Sequence, residues 1–207
     1  MKRLIVGVSG SSAPQLGLAV LRALREVPGM EIHLVISRGA ARSIAAEMGD
    51  EAEAEFTALA DVTYQPDNLA AAIASGSFRT AGMVVVPCSM RTLAAVATGN
   101  TGDLLTRAAD VCLKERRRLV LVTRETPLNL IHIRNMEAVT LAGGVIMPPV
   151  PAFYHRPETI EDLLRHTAGK VLDLFGLEHR LFRRWEGFPE GDGADDDLAD
   201  RSGGASG

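Results

Sequence analysis

Residues 2–24, KRLIVGVSGSSAPQLGLAVLRAL, place an apolar strand, a turn of small residues and an amphipathic helix in direct succession. Leu4–Val8 is the expected strand. The eleven residues GVSGSSAPQLG (7–17) form the turn. A helix is expected from Gln15 to Val27, with Leu16, Val20, Ala23, Leu24 and Val27 on one face. A strand that feeds a helix through such a turn offers unpaired backbone N–H groups and the positive end of a helix dipole to an anion. The turn is not GxGxxG: serines stand where the dinucleotide fingerprint has glycines. Their hydroxyls suit a phosphate or a flavin ring. Within this stretch alone, a capping box from Ser12 to Gln15 with Pro14 in the first turn is the stronger reading.

The rest of the chain repeats the strand–helix unit. Strands are expected at Glu31–Ser37, Ala60–Tyr64, Gly82–Val86, Leu119–Thr123 and Val145–Met147. Helices are expected at Arg38–Glu47, Met90–Ala97, Leu104–Lys114, Leu130–Leu141 (ending at Gly143) and Thr159–Phe175, the last opened by a Thr159/Asp162 cap. Leu69–Ser75 reads as a helical turn or two, Asp50–Glu55 as a solvated acidic helix face, and Glu178–Trp185 as a short final helix. The alternation predicts an α/β fold, a Rossmann-like (flavodoxin-like) doubly wound parallel sheet in a single domain, residues 1–186. From Gly187 to Gly207 the chain is rich in Gly, Asp and Ser, and a disordered acidic tail is expected.

Composition narrows the function. The 207 residues are 46% hydrophobic with a net charge of −4, which argues against a general nucleic-acid surface. Two cysteines, Cys88 and Cys112, make no disulfide framework, and neither a signal-peptide pattern nor an apolar run of membrane-spanning length is read. A cytoplasmic protein is expected. His33, His132, His155, His166 and His179 show no metal-ligand spacing and are assigned no role. Ligands of doubly wound sheets bind beyond the carboxyl ends of the strands. That rule selects Ser9–Ala13, Ser37, Pro87–Thr92 and Arg124–Pro127, all polar or charged segments that follow apolar strands.

These segments resemble the UbiX/Pad1-type flavin prenyltransferase family. The similarity is carried by KRLIVGVSG (2–10), HLVIS (33–37), SGSFRT (75–80), VPCSMRTLA (86–94), RAADVCLKERRRLVLVTRETPL (107–128) and MPPVPAFYHRPET (147–159). The closing GLEHRLFRRWEG (176–187) is nearer the Pad1 branch, whose proteins are associated with phenolic or hydroxyarylic acid decarboxylases. The resemblance implies transfer of a dimethylallyl group from dimethylallyl monophosphate to reduced FMN. It also implies no metal, hand-over of prenylated FMN to a UbiD-type decarboxylase, and a homo-oligomer, a dodecamer.

Residue by residue, the resemblance implies FMN contacts from Gly10, Ser11, Ser12, Ser37, Ser89, Met90, Arg91, Thr92, Arg107 and Arg124. It implies that Lys114, Arg124, Tyr154 and Lys170 hold the leaving phosphate, where fixed cations would stabilise the developing anion. Ser12, Glu47, Glu125, Lys114 and Trp185 are its catalytic set, Glu125 managing protons on the phosphate and the Trp185 π face steadying an allyl cation. Without the resemblance, Glu47, Arg107 and Lys170 read as helix-surface charges, Glu125 as an ion-pair partner, Tyr154 as a core aromatic and Trp185 as a hydrophobic plug. Lys170 stands where many relatives have Arg, Arg91 where close relatives have Lys, and GSSA (10–13) where relatives have GASG or GATG, so Ala13 replaces a glycine. Two other readings compete. One is a flavin-dependent decarboxylase of the cysteine-decarboxylase group, against which PCSMRT (87–92) stands in place of a PASANT-like segment. The other is a non-catalytic FMN-binding accessory subunit of a hydroxyarylic acid decarboxylase.

Overall fold

The computed structural model describes residues 2–187. Among these residues, six strands and seven α-helices follow the expected alternation. They run β1 (Lys2–Val8), α1 (Gln15–Arg25), β2 (Met30–Ile36), α2 (Arg38–Met48), α3 (Ala52–Ala58), β3 (Val62–Tyr64), β4 (Gly82–Cys88), α4 (Met90–Thr98), α5 (Leu104–Lys114), β5 (Arg118–Thr123), α6 (Leu130–Leu141), β6 (Val145–Ile146) and α7 (Ile160–Leu174). The 69–75 segment holds one 3-10 turn, Ala72–Ala74.

All six strands are parallel, in the order β3-β2-β1-β4-β5-β6. The chain reverses its direction of travel across the sheet between β1 and β4, and the crevice beyond their carboxyl ends is where such sheets bind ligands. Strand alternation feeds two cores. Leu4, Val6 and Val8 of β1 pack with α1, α3 and α7, while Ile5 joins Met83, Val85 and the layer of α4 and α5. The central strands are covered on both faces, which is why β4 reads as an unbroken apolar run, buried throughout. Gly17 brings α1 hard against the sheet: a Cβ there would lie 2.7 Å from the Val86 carbonyl oxygen. His33 belongs to this scaffold, its Nδ1 on the Tyr64 hydroxyl (2.9 Å) and its Nε2 on Glu31 (3.0 Å). Cys88 and Cys112 are free, buried thiols, both pushed up in pKa by burial.

The helix expected at Glu178–Trp185 does not form. α7 closes with Gly176 at φ +62°, and the Leu177 N–H returns to the Leu172 carbonyl. The chain then folds back along α7. Asp173 holds His179 (3.1 Å) and Arg184 (2.7 Å), and Phe182 packs on His166. These tertiary ties win over a weak local helical pattern. Except for Gly187, the tail expected from 187 onward lies outside the described residues. No helix among the described residues is long and apolar enough to cross a membrane.

Candidate functional site

Four strand ends are tied into one platform. Ser9, buried at the end of β1, donates its hydroxyl to the Pro87 carbonyl (3.0 Å) and accepts the Ser89 N–H (2.8 Å). The Ser11 hydroxyl donates to the Arg124 carbonyl (3.0 Å), and the Arg124 N–H to the Cys88 carbonyl (3.1 Å). The Ser37 N–H continues the β1–β2 ladder onto the Val8 carbonyl. The ends of β1, β2, β4 and β5 are thereby fixed relative to one another by bonds that cross up to 113 residues of sequence.

Ser12 does not cap α1. Helix α1 begins after Pro14 with no side-chain cap, because Ala13 takes a left-handed φ of +66° and turns the chain between Ser12 and the helix. The freed Ser12 hydroxyl donates to Glu47 Oε2 (3.2 Å), which also accepts the Ala13 N–H (2.9 Å). Where relatives have glycine, this alanine holds a conformation that glycine occupies without strain. Ala13→Gly should therefore stabilise the fold. Relief of roughly 1–2 kcal/mol of left-handed strain outweighs about 0.4–1 kcal/mol of added unfolded-state freedom. Denaturant unfolding checks this, and a loss of stability would contradict the strain.

A cavity of about 760 Å³ opens at the switch point. Gly10, Ser37, Ser89, Met90, Arg91, Thr92 and Glu125 line it, together with Asp103 and Thr106 at the start of α5. Its volume lies within the ~300–1,000 Å³ usual for cofactor sites. The N-termini of α2 and α4 open onto it: Ser37 accepts the Ala40 N–H (3.1 Å), and Ser89 accepts the Thr92 N–H (3.2 Å) while donating to the Thr92 hydroxyl (3.1 Å). Two helix N-termini, hydroxyls and the cation of Arg91 are the donor set that a phosphorylated, ribityl-bearing ligand needs. Gly10 shapes the mouth, since a Cβ there would meet the Gly39 backbone at 2.8 Å. These residues fit FMN. The Arg124 side chain has no ion-pair or hydrogen-bond partner among the described residues, and the Glu125 carboxylate accepts only the Thr126 N–H (3.0 Å).

A second group lies on α7 and the 148–159 segment. The Tyr154 hydroxyl meets His166 Nε2 at 3.0 Å, and the Trp185 ring approaches Tyr154 edge-on at 6.2 Å. Lys170 and His166 line a cavity of about 370 Å³. Tyr154 is 44% exposed, so its reading as a core aromatic is corrected; it stays at the surface of the Pro-rich segment. The Lys170 side chain is half exposed and lies 3.6 Å from Asp173. Although burial acts to raise it, the Asp173 carboxyl is held below the usual range by the Arg184 guanidinium and by His179.

Two site expectations are not brought to this place within one chain. Lys114 ends α5, about 15 Å along the helix from its cavity-facing start, and is ion-paired with Glu115. Arg107 turns toward the 3-10 turn, donating to the Ala74 carbonyl (3.2 Å) and pairing with Asp110 (2.8 Å). Three contributors have no assigned role in the sequence reading, although Ser9 lies in a segment that the strand-end rule selects. Ser9 locks two strand ends, Gly39 faces Gly10, and His166 holds Tyr154. A serine directly after an apolar strand is the available signal for the first. The other two contacts depend on long-range packing that one sequence does not display. Among the described residues no cluster of three or more His, Cys, Asp or Glu side chains forms a metal site.

Fold and cavity define a flavoprotein-type doubly wound domain, and the family described as Flavoprotein matches residues 1–171. The flavin prenyltransferase UbiX of Escherichia coli K12 is 52% identical over 189 residues, 90% of this chain and 100% of its own. Among solved structures, AnUbiX (PadA1) in complex with FMN and dimethylallyl pyrophosphate is similar with a TM-score of 0.87 and 50% identity, over 91% of this chain and 99% of that one. A dodecameric FMN-dependent UbiX-like decarboxylase from Escherichia coli O157:H7 gives a TM-score of 0.86 and 51% identity, over 89% and 100%. The chain belongs to the UbiX-type flavin prenyltransferase family.

Proposed function

We propose that this chain transfers the dimethylallyl group of dimethylallyl monophosphate to reduced FMN and releases phosphate. The observation that carries the reading is the switch-point cavity, in which two serine-capped helix N-termini and Arg91 face the same space as the uncompensated Glu125 carboxylate. The bound reduced flavin supplies the nucleophile, so the chain has to hold, orient and manage protons. Ser37, Ser89, Thr92 and the α2 and α4 N-termini bind the acceptor's phosphate and ribityl groups. The Ser12 hydroxyl donates its hydrogen bond to Glu47, so its oxygen remains an acceptor for an N–H of the flavin. Arg124, Tyr154 and Lys170 receive the leaving phosphate, and the carboxylate of Glu125, next to Arg124 in the chain, is useful only where a proton moves. Trp185 offers a π face to the allyl cation.

The same reading includes a homo-oligomer, a dodecamer like the E. coli O157:H7 relative. Helix α6 supports it: Leu130, Ile131, Ile133 and Leu141 are all more than half exposed, and only Val139 is buried. In such an assembly a neighbouring chain would supply Lys114. Prenylated FMN would pass to a UbiD-type decarboxylase, in the cytoplasm, where two free buried thiols are at home. Lys170→Ala tests the phosphate assignment. It should keep FMN and raise KM for dimethylallyl monophosphate by roughly tenfold or more, the scale of a lost charged hydrogen bond. Unchanged KM would remove Lys170 from the site.

A further inference from the structure

We infer that His166 is a positioning residue whose Nε2–H fixes the phenol of Tyr154, leaving the phenolic proton free to donate to the prenyl phosphate. The inference rests on the reading that Tyr154 and Lys170 meet that phosphate. Tyr154 lies in a segment without regular secondary structure and is 44% exposed. The His166 contact, at 3.0 Å, is the one hydrogen bond of its hydroxyl among the described residues. His166 is itself well placed to hold it. It is 7% exposed on α7, stacked in parallel on His155 at 4.7 Å and braced by Phe182 at 4.5 Å. Lys170 follows one helical turn later, and both line the same cavity.

The direction of the hydrogen bond follows from charge. Burial first, then His155 and Lys170, push the His166 pKa below its ordinary value, against the opposing effect of Asp173. The imidazole is then neutral, and only one of its nitrogens carries a proton. If Nε2 accepted the phenolic proton, Tyr154 would turn lone pairs toward an anion. If Nε2–H donates, the phenol points its own proton at the phosphate oxygen. The two hydrogen bonds, His166 to Tyr154 and Tyr154 to phosphate, then polarise one another. A bound anion selects the second arrangement. The same bond holds a surface tyrosine that its own loop does not fix.

The test is a double-mutant cycle on FMN-loaded protein, with dimethylallyl monophosphate titrated by calorimetry. Tyr154→Phe should weaken binding roughly tenfold or more. His166→Phe keeps the ring stack and should weaken binding severalfold. The double variant should be no weaker than Tyr154→Phe alone, because His166 acts through that hydroxyl. His166→Gln, which retains an N–H donor, should bind like the parent. Losses that add, a silent His166→Phe, or a Gln variant as weak as the Phe variant would overturn the inference. Nitrogen-15 spectra of histidine-labelled protein with dimethylallyl monophosphate bound give a reading without any core substitution. A protonated Nε2 on His166 is expected, and an unprotonated one contradicts the proposal. A parent protein that does not bind dimethylallyl monophosphate would overturn the proposed function and this inference together, whereas normal parent binding with additive losses overturns this inference alone.

Discussion

Glu125→Gln keeps its FMN and transfers the prenyl group ~10²–10⁴-fold more slowly, the usual loss for a well-placed acid–base group. The side chain is nearly isosteric and retains an oxygen for the Thr126 N–H, so the loop after β5 keeps its shape. Glu125 faces the cavity and has no ion-pair partner among the described residues. A structural ion pair is therefore not what the substitution removes. It removes a group that can exchange a proton beside a leaving phosphate. Flavin absorbance of the purified variant and anaerobic transfer rates separate the two roles. If Glu125→Gln sheds FMN or unfolds, the carboxylate is structural.

Gly10→Ala is expected to damage fold and cofactor binding together. The new Cβ meets three backbone atoms of Gly39, the carbonyl carbon at 2.8 Å, Cα at 3.0 Å and the carbonyl oxygen at 3.1 Å. Backbone cannot rotate away as a side chain can, so the β1 turn and the first turn of α2 must separate. Overpacking of this kind costs about 1–3 kcal/mol. Both pieces line the cavity, so FMN affinity should fall at least ~10-fold, a loss of about 1.4 kcal/mol in binding. Thermal unfolding and FMN titration measure the two effects. Wild-type values for both would show that the turn and α2 move apart freely.

Local pattern makes most of the architecture legible. The apolar runs at Leu4–Val8 and Leu119–Thr123 and the helical spacing of α5 are short-range signals, and their positions agree with the structure to within a residue or two. The strand-end rule selects Ser37, Ser89, Thr92 and Glu125, and all four line one cavity. What the sequence hides depends on contacts distant along the chain. Ser12 reads locally as a cap, but its partner is Glu47, 35 residues away. Ala13 carries no local mark of its conformation, yet the turn between β1 and α1 holds it left-handed. Glu178–Trp185 carries helical spacing, but Asp173 captures both His179 and Arg184 and holds the segment against α7. Lys114 shares a motif with Arg124, while strand β5 between them sets Lys114 at the opposite end of the sheet from the cavity.

The most direct measurement is anaerobic incubation of the purified protein with reduced FMN and dimethylallyl monophosphate, followed by absorbance and mass of the extracted flavin. The account predicts a changed spectrum, a flavin carrying one additional five-carbon prenyl unit, and release of phosphate in equal amount. Recovery of unmodified FMN from protein that has bound both molecules would contradict it and leave a flavin carrier in its place.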